Sequence, residues 1–327
     1  GDKGCGCNPG VPFCAAPPVG LASGRSVLVC DGSGAKSKEA LACTSEQVCL
    51  NAKCAVCTPG ALRCNGDKTL FCKANGSGWQ QDEDCAAKGA QCVVGKCMDL
   101  CAVSSGNPTS RGCRFWAVDL DNANISSGTG GALDAQNAPY GVVVTNAGPK
   151  TASVKITFGP GPGVPVAKTT TISVPSGTSK SIVLPPPDWK LPPASQDGTS
   201  LQGSAFRIDS TEPVQVTQHN PLQANAFSAD ASLLVPANGL GLAHRIVGRK
   251  QSLTNLRAYI AVVATEPGTT KVTVTSTTAT LAGGAIPALK PGVAQQISVQ
   301  QGQVLNIETD ALGSDFTGSL VTADTPI

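Results

Sequence analysis

The residues of this chain best equipped for chemistry are its 15 cysteines, all of which lie between Cys5 and Cys113, with none in the 214 residues that follow. Cysteine at that local density, in a chain with 2 histidines, reads as a disulfide framework made in an oxidising compartment. The rival chemistry is structural zinc, which needs tetrathiolate sites built from paired Cys-x-x-Cys knuckles. Cys54-Ala-Val-Cys57 alone has that spacing, so disulfides are the expectation.

The cysteines fall into two copies of one six-cysteine unit. The first runs Cys7, Cys14, Cys30, Cys43, Cys49, Cys54 and the second Cys57, Cys64, Cys72, Cys85, Cys92, Cys97. Both open with Cys-(Asn/Thr)-Pro-Gly, keep 12 residues between the third and fourth cysteines, and keep 4 between the last two. This is an internal repeat. A unit of ~45 residues buries too little apolar surface to fold on its core alone, so three bridges per unit would supply the constraint. Six cysteines admit about 15 connectivities, and spacing does not choose among them. Cys101 and Cys113 flank the polar stretch Ala102 to Gly112 and are expected to pair. Cys5 is left over: its partner lies in a segment outside this chain, or it bonds a second chain.

Other chemistry is sparse. His219 and His244 are candidate bases without a recognisable nucleophile or orienting partner, and no nucleophile elbow, zinc-protease helix or phosphate loop is present. No catalytic or cofactor-binding residue is assigned, and a non-enzymatic protein is expected. Asp119, Asp121 and Asn122, with Asn124 and Asp134 nearby, could offer oxygens to calcium. Turn capping by Asp and Asn is the commoner reason for such a cluster, and the spacing is not that of an EF-hand. Asn75-Gly-Ser77 and Asn124-Ile-Ser126 are glycosylation sequons.

The elements that would carry these residues are strands. Aromatic residues make up 4% and charged residues 14% of the 327 residues, against 37 glycines and 24 prolines, a balance that suits short strands and turns. A formal charge of +2 gives no general attraction to nucleic acid or an anionic membrane. No apolar run approaches the ~20 residues a membrane helix needs, so no transmembrane segment is expected.

After Cys113 two series of strand-like runs follow one another in matching order. Gly141-Val-Val-Val-Thr-Asn answers Ile260-Ala-Val-Val-Ala-Thr, and Val154-Lys-Ile-Thr-Phe answers Lys271-Val-Thr-Val-Thr. The expected fold is mainly β, with two tandem Ig-like β-sandwiches preceded by a small disulfide-rich domain of two repeats. The expected divisions are 1–56 and 57–113 for the cysteine repeats, then 114–226 and 227–327 for the sandwiches. Ala205 to Asn220, AFRIDSTEPVQVTQHN, reads as two half-buried strands joined at a corner, and Ser319 to Ile327, SLVTADTPI, is its shortened echo. The second sandwich then lacks the strand after its corner, and an open strand edge is expected at Val321, Pro326 and Ile327; a chain cut at this point is the plain reading, and a gap filled by a strand from a neighbouring subunit the sharper one.

A family resemblance rests on several of these stretches in order: Gly112-Cys-Arg-Phe-Trp-Ala-Val-Asp-Leu-Asp-Asn122, Ala135-Gln-Asn-Ala-Pro-Tyr-Gly-Val-Val-Val-Thr-Asn146, Thr211-Glu-Pro-Val-Gln-Val-Thr-Gln-His-Asn-Pro221, Asp230-Ala-Ser-Leu-Leu-Val-Pro236 and Val262-Val-Ala-Thr-Glu-Pro-Gly-Thr-Thr270. Over about 112–327 the chain resembles the IgGFc-binding protein N-terminal domain family. The head resembles cysteine repeats carried by secreted proteins of myxobacteria and their relatives. The resemblance implies a secreted or surface-attached protein, with relatives in vertebrate mucus that bind the antibody Fc region. It carries no set of binding residues onto positions of this sequence.

The function expected from these readings is a non-enzymatic secreted or cell-surface structural and adhesive protein, in its sharper form the subunit of an extracellular fibre assembled by strand complementation. The alternative is a monomeric extracellular binding module for a glycan or glycoprotein, acting through loops at one end of a sandwich. Expected partners are further copies of the chain, another extracellular protein or a glycan. A hydrolase using His219 or His244 is the third reading.

Overall fold

The computed structural model describes residues 10–14, 26–33, 37–44, 47–88, 90–106, 109–124, 134–160, 166–192, 194–203, 205–222, 228–250 and 256–327. The chain forms two compact units, Gly1–Leu100 and Cys101–Ile327, and it is mainly β.

In the first unit one motif occurs twice. Strands β1 (Pro12–Cys14), β2 (Ser26–Cys30) and β3 (Ser37–Ala42) form an antiparallel sheet with β2 central, followed by the hairpin of β4 (Val48–Leu50) and β5 (Lys53–Ala55). Strands β6 (Leu62–Asn65), β7 (Lys68–Cys72) and β8 (Trp79–Asp84) repeat the sheet, and β9 (Gln91–Val93) with β10 (Lys96–Met98) repeat the hairpin. The bridges repeat too. Cys57–Cys72, Cys64–Cys92 and Cys85–Cys97 join first to third, second to fifth and fourth to sixth cysteine. Cys14–Cys49 and Cys43–Cys54 are the second-to-fifth and fourth-to-sixth pairs of the first copy, and Cys30, its third cysteine, is also bonded. Cys54 and Cys57 therefore sit in different disulfides and form no zinc knuckle. Cys5 and Cys7 lie outside the described residues.

The sulfurs replace a core. Apart from cysteine, the buried apolar side chains described in this unit are Val27, Ala55, Leu70 and Ala90, whereas Cys72 and Cys85 are 1% and 0% exposed. So little apolar burial cannot offset the chain entropy of ordering such a segment, and cross-links that restrict the unfolded chain make up the difference.

The second unit opens with a short helix, Leu100–Gly106, tied by Cys101–Cys113 to β11 (Gly112–Val118). Then come β12 (Gly141–Asn146), β13 (Ala152–Phe158), β14 (Lys168–Val174), β15 (Thr178–Val183), β16 (Ser200–Gln202), β17 (Ala205–Asn220), β18 (Asp230–Leu233), β19 (Ala243–Arg245), β20 (Tyr259–Val263), β21 (Thr269–Thr275), β22 (Ala294–Gln300), β23 (Val304–Glu308) and β24 (Leu320–Ala323).

The 16-residue β17 organises the first sandwich. Its first half pairs with β11 and β13, its second half with β12 and β18, and the change of sheet falls at Thr211-Glu212-Pro213. Proline suits that corner because it fixes φ and lacks a ladder donor. Alternation sends Phe206, Ile208, Val214 and Val216 inward, each 0% exposed, against Phe115, Val142, Val144, Val154 and Ile156.

The second sandwich repeats this plan. The sheet β19-β24-β21-β22 faces β16-β23-β20 across a core of Ile260, Val262, Val272, Val274, Leu305 and Ile307. In the first sandwich the corresponding sheets are β11-β17-β13-β14 and β15-β12-β17-β18.

Three details differ from the sequence expectation. The repeats match one residue out of the expected alignment: Gly177 N–H donates to Asn146 O and Gly302 N–H to Ala264 O at the same hairpin turn, both at 2.8 Å. Asn146 is thus equivalent to Ala264, Val142 to Ile260 and Val144 to Val262. A continuous apolar run conceals which residues face inward, and a slip of one reverses every side chain. Secondly, the sandwiches exchange strands across the expected division at 226/227, with β16 pairing β23 and β18 pairing β17. Thirdly, Val321 is not on an open edge, because β24 is flanked by β19 and β21 and Val321 is 1% exposed.

Candidate functional site

The unpaired edge belongs to β20. Its counterpart β12 is hydrogen-bonded on one side to β15 and on the other to β17, whereas β20 pairs with β23 alone among the described residues. Among the described residues, a row of backbone donors and acceptors therefore runs along β20 with no strand beside it, the arrangement that templates strand addition.

The equivalence of the repeats identifies what stands next to this edge. Val154 pairs with Ser210 and its counterpart Val272 with Ala323. Ser210-Thr-Glu-Pro-Val214 therefore superposes on Ala323-Asp-Thr-Pro-Ile327, and Ile327 takes the place of Val214. Two bonds fix it there. Ile327 N–H donates to Gly241 O at 3.1 Å, and Thr265 Oγ1 donates to Pro326 O at 2.7 Å. In the first sandwich the chain continues from Val214 through Asn220 along β12; in the second, the matching space along β20 is a groove of about 360 Å³.

The groove is apolar. Ile246, Ile260, Val262 and Val321 form its core side, Trp116, Ala261 and Val263 lie along the opposite face of β20, and Leu233 and Val235 stand at its rim, each 53% exposed. Exposed apolar surface flanking an unpaired edge marks an interaction site. His244 also lines the groove, its Nε2 lying 3.2 Å from Gly241 O, while His219 lies on β17 between Gly141 and Ala231.

A second cavity in the same unit is polar and acidic. Carboxylate oxygens of Asp121, Asp197 and Glu308 lie within 4.8 Å of one another, a donor set a divalent cation could use. Of the expected calcium residues, Asp121 belongs to this trio, Asn122 lines the cavity, and Asp119 is in neither. Burial first, then the charges of Glu308 and Asp197, push the Asp121 carboxyl up to about 7. Burial raises Glu308 as well, against one bond from Gly198 N–H at 2.8 Å, and it pushes Asp119, 3% exposed, up to about 8. Asp197 and Glu308 were invisible as partners of Asp121 because they reach it through the pairing of β16 with β23, which no local pattern announces.

Comparison with known proteins bears on the second sandwich. The model of the family described as IgGFc binding protein matches residues 230–327, within the wider stretch over which the sequence resembles that family. No curated protein matches the chain. The crystal structure of Thermotoga maritima 1070 aligns with 39% of this chain and 96% of that one at 12% identity, with a TM-score of 0.25, too low to carry an argument. The six disulfides among the described residues and the family match fit an extracellular binding or structural protein. No helix among the described residues is long and apolar enough to cross a membrane.

Proposed function

We propose that this chain, whose residues 230–327 match the model of the IgGFc-binding family, is a non-enzymatic structural and adhesive protein of the extracellular space or cell surface that assembles by accepting a β strand. The observation that carries this reading is the unpaired edge of β20 beside an apolar groove, where the first sandwich has its own strand. Main-chain hydrogen bonds to the edge supply affinity, and side-chain packing into the groove supplies selectivity.

The donor in this reading is a neighbouring copy. This chain's own Val214–Asn220 segment already fills the equivalent slot of the first sandwich, and a formal charge of +2 over 327 residues offers little repulsion between copies. A contact in which the acceptor surface differs from the donor surface is heterologous, and repetition without closure builds a filament. The reading involves no cofactor.

Negative-stain electron microscopy over a concentration series tests it. Filaments that lengthen with concentration are expected, and the double substitution Leu233→Lys with Val235→Lys, which places charge at the exposed rim of the groove, should abolish them while leaving the circular dichroism spectrum unchanged. Discrete particles at every concentration would remove the assembly reading.

A further inference from the structure

We infer that a cleft between the two sandwiches binds an acidic saccharide, a sugar that carries a carboxylate or sulfate group. This site is independent of strand addition and shares only Trp116 with the groove beside β20. The cleft encloses about 440 Å³ between the outward side of β11, β17 and β13 and the turns that follow β20 and β22. That volume is in the range of small-molecule sites.

Strand register builds the floor of the cleft. Trp116 pairs with Arg207 and Arg207 with Thr157, so three neighbouring strands present an indole, a guanidinium and a hydroxyl in one cross-strand row. In the next row Arg114 pairs with Asp209 and Asp209 with Lys155. The Asp209 carboxylate accepts from the Nε of both arginines, each at 2.8 Å. It orients the Arg207 guanidinium while leaving the terminal N–H groups without an acceptor among the described residues. The two rows together hold three cations against one carboxylate. Glu266, in the turn that carries Gly268, does not line the cleft.

The second sandwich supplies acceptors on the opposite wall. Gln300 Nε2 donates to Thr269 Oγ1 at 2.7 Å and Gln301 Nε2 to Thr265 O at 2.9 Å. Each bond fixes an amide plane and leaves its Oε1 as an acceptor. Two atoms of the floor residues, Trp116 Nε1 and Thr157 Oγ1, are buried without a hydrogen-bond partner among the described residues, and a buried polar group left unpaired is costly. An indole, a forked cation, planar amides and a hydroxyl suit a sugar ring. Its C–H groups pack on the indole, its hydroxyls donate to the glutamine oxygens, and its acid group takes the guanidinium fork bidentately. The excess of positive charge on the floor favours an acidic sugar over a neutral one.

Saturation-transfer NMR titrations of the full-length, unreduced chain, dilute enough to be monomeric, test the site. The probes are sodium glucuronate, glucose 6-sulfate, neutral glucose, and acetate and methyl sulfate as sugar-free anions. The inference expects glucuronate or glucose 6-sulfate to bind at least ~10-fold more tightly than glucose and than either sugar-free anion, and Arg207→Gln to lose at least ~10-fold of that affinity. Lys180→Gln removes the same charge on β15, away from the cleft, and should lose none. Gln300→Ala, at an exposed residue whose loss leaves the fold intact, is the second variant and should weaken binding severalfold. Glucose binding as tightly as the acidic sugars overturns the acidic preference. Sugar-free anions binding as tightly overturn the saccharide. Equal losses in Arg207→Gln and Lys180→Gln, or no loss in either cleft variant, overturn the cleft as the site. Transfer to none of the probes overturns the inference outright and leaves strand addition untouched.

Discussion

Asp119 shows how one side chain can set the pH response of the second unit. Burial raises its carboxyl to about 8 from an ordinary value of 3.8, so between those values the folded chain holds a proton that the unfolded chain releases. Stability from this group is full below about pH 4, declines by up to ~1.4 kcal/mol per pH unit as pH rises toward 8, and is flat beyond. Asp121, raised to about 7, adds a slope of the same sign. Asp119→Asn should therefore stabilise the protein at pH 8 relative to the parent and shrink the difference between urea midpoints at pH 5 and pH 8. An unchanged pH dependence would show that Asp119 is not the group responsible. A steric prediction belongs here too. A Cβ on Gly283 would collide with the carbonyl oxygen of Thr199 just before β16, so Gly283→Ala should cost on the order of 2 kcal/mol through backbone displacement, measurable by thermal melting. The Asp119–Asp121–Asn122 run was legible as a cluster of oxygen donors, but its division into a buried lone acid and a member of a trio was not, because that depends on which distant strand packs over it.

At the scale of elements, β17 and β24 are one design carried out to different lengths. The alternation Phe206, Ile208, Val214, Val216 and the corner at Pro213 were legible because period-two burial and proline geometry are local properties. Val216→Ala should cost about 2 kcal/mol, since Val216 is fully buried between the sheets, and its effect should appear in the urea midpoint without a change of slope. Two features were not legible. The one-residue offset between repeats was hidden by the apolar runs at 141–146 and 260–265, which offer no polar residue to mark the outward side. The shortened repeat at 319–327 points to an open edge at Val321, yet the strand with one described neighbour is β20, the counterpart of β12. Pairing, unlike alternation, is set by tertiary contacts.

At the scale of the whole molecule, the two units are held by different forces. Disulfides constrain the first, which among its described residues buries few apolar side chains besides cysteine, while the second has two large apolar cores and a single described bridge, Cys101–Cys113. Full reduction should therefore open residues 10–98 to limited proteolysis while residues 112–327 stay resistant. Equal protection of both units after reduction would contradict the division of labour. The cysteine repeat itself was legible from spacing, but its pairing of first with third, second with fifth and fourth with sixth was not, because the hairpins that bring those sulfurs together are not encoded in the spacing alone. The account of function rests on one contrast between the two sandwiches, that β12 has a strand on each side and β20, among the described residues, on one side alone. Hydrogen-exchange mass spectrometry of the dilute, monomeric chain tests this most directly. The account predicts that β20 peptides exchange much faster than β12 peptides, and that concentrating the protein slows β20 while leaving β12 unchanged; β20 protected as strongly as β12 in the monomer would contradict it.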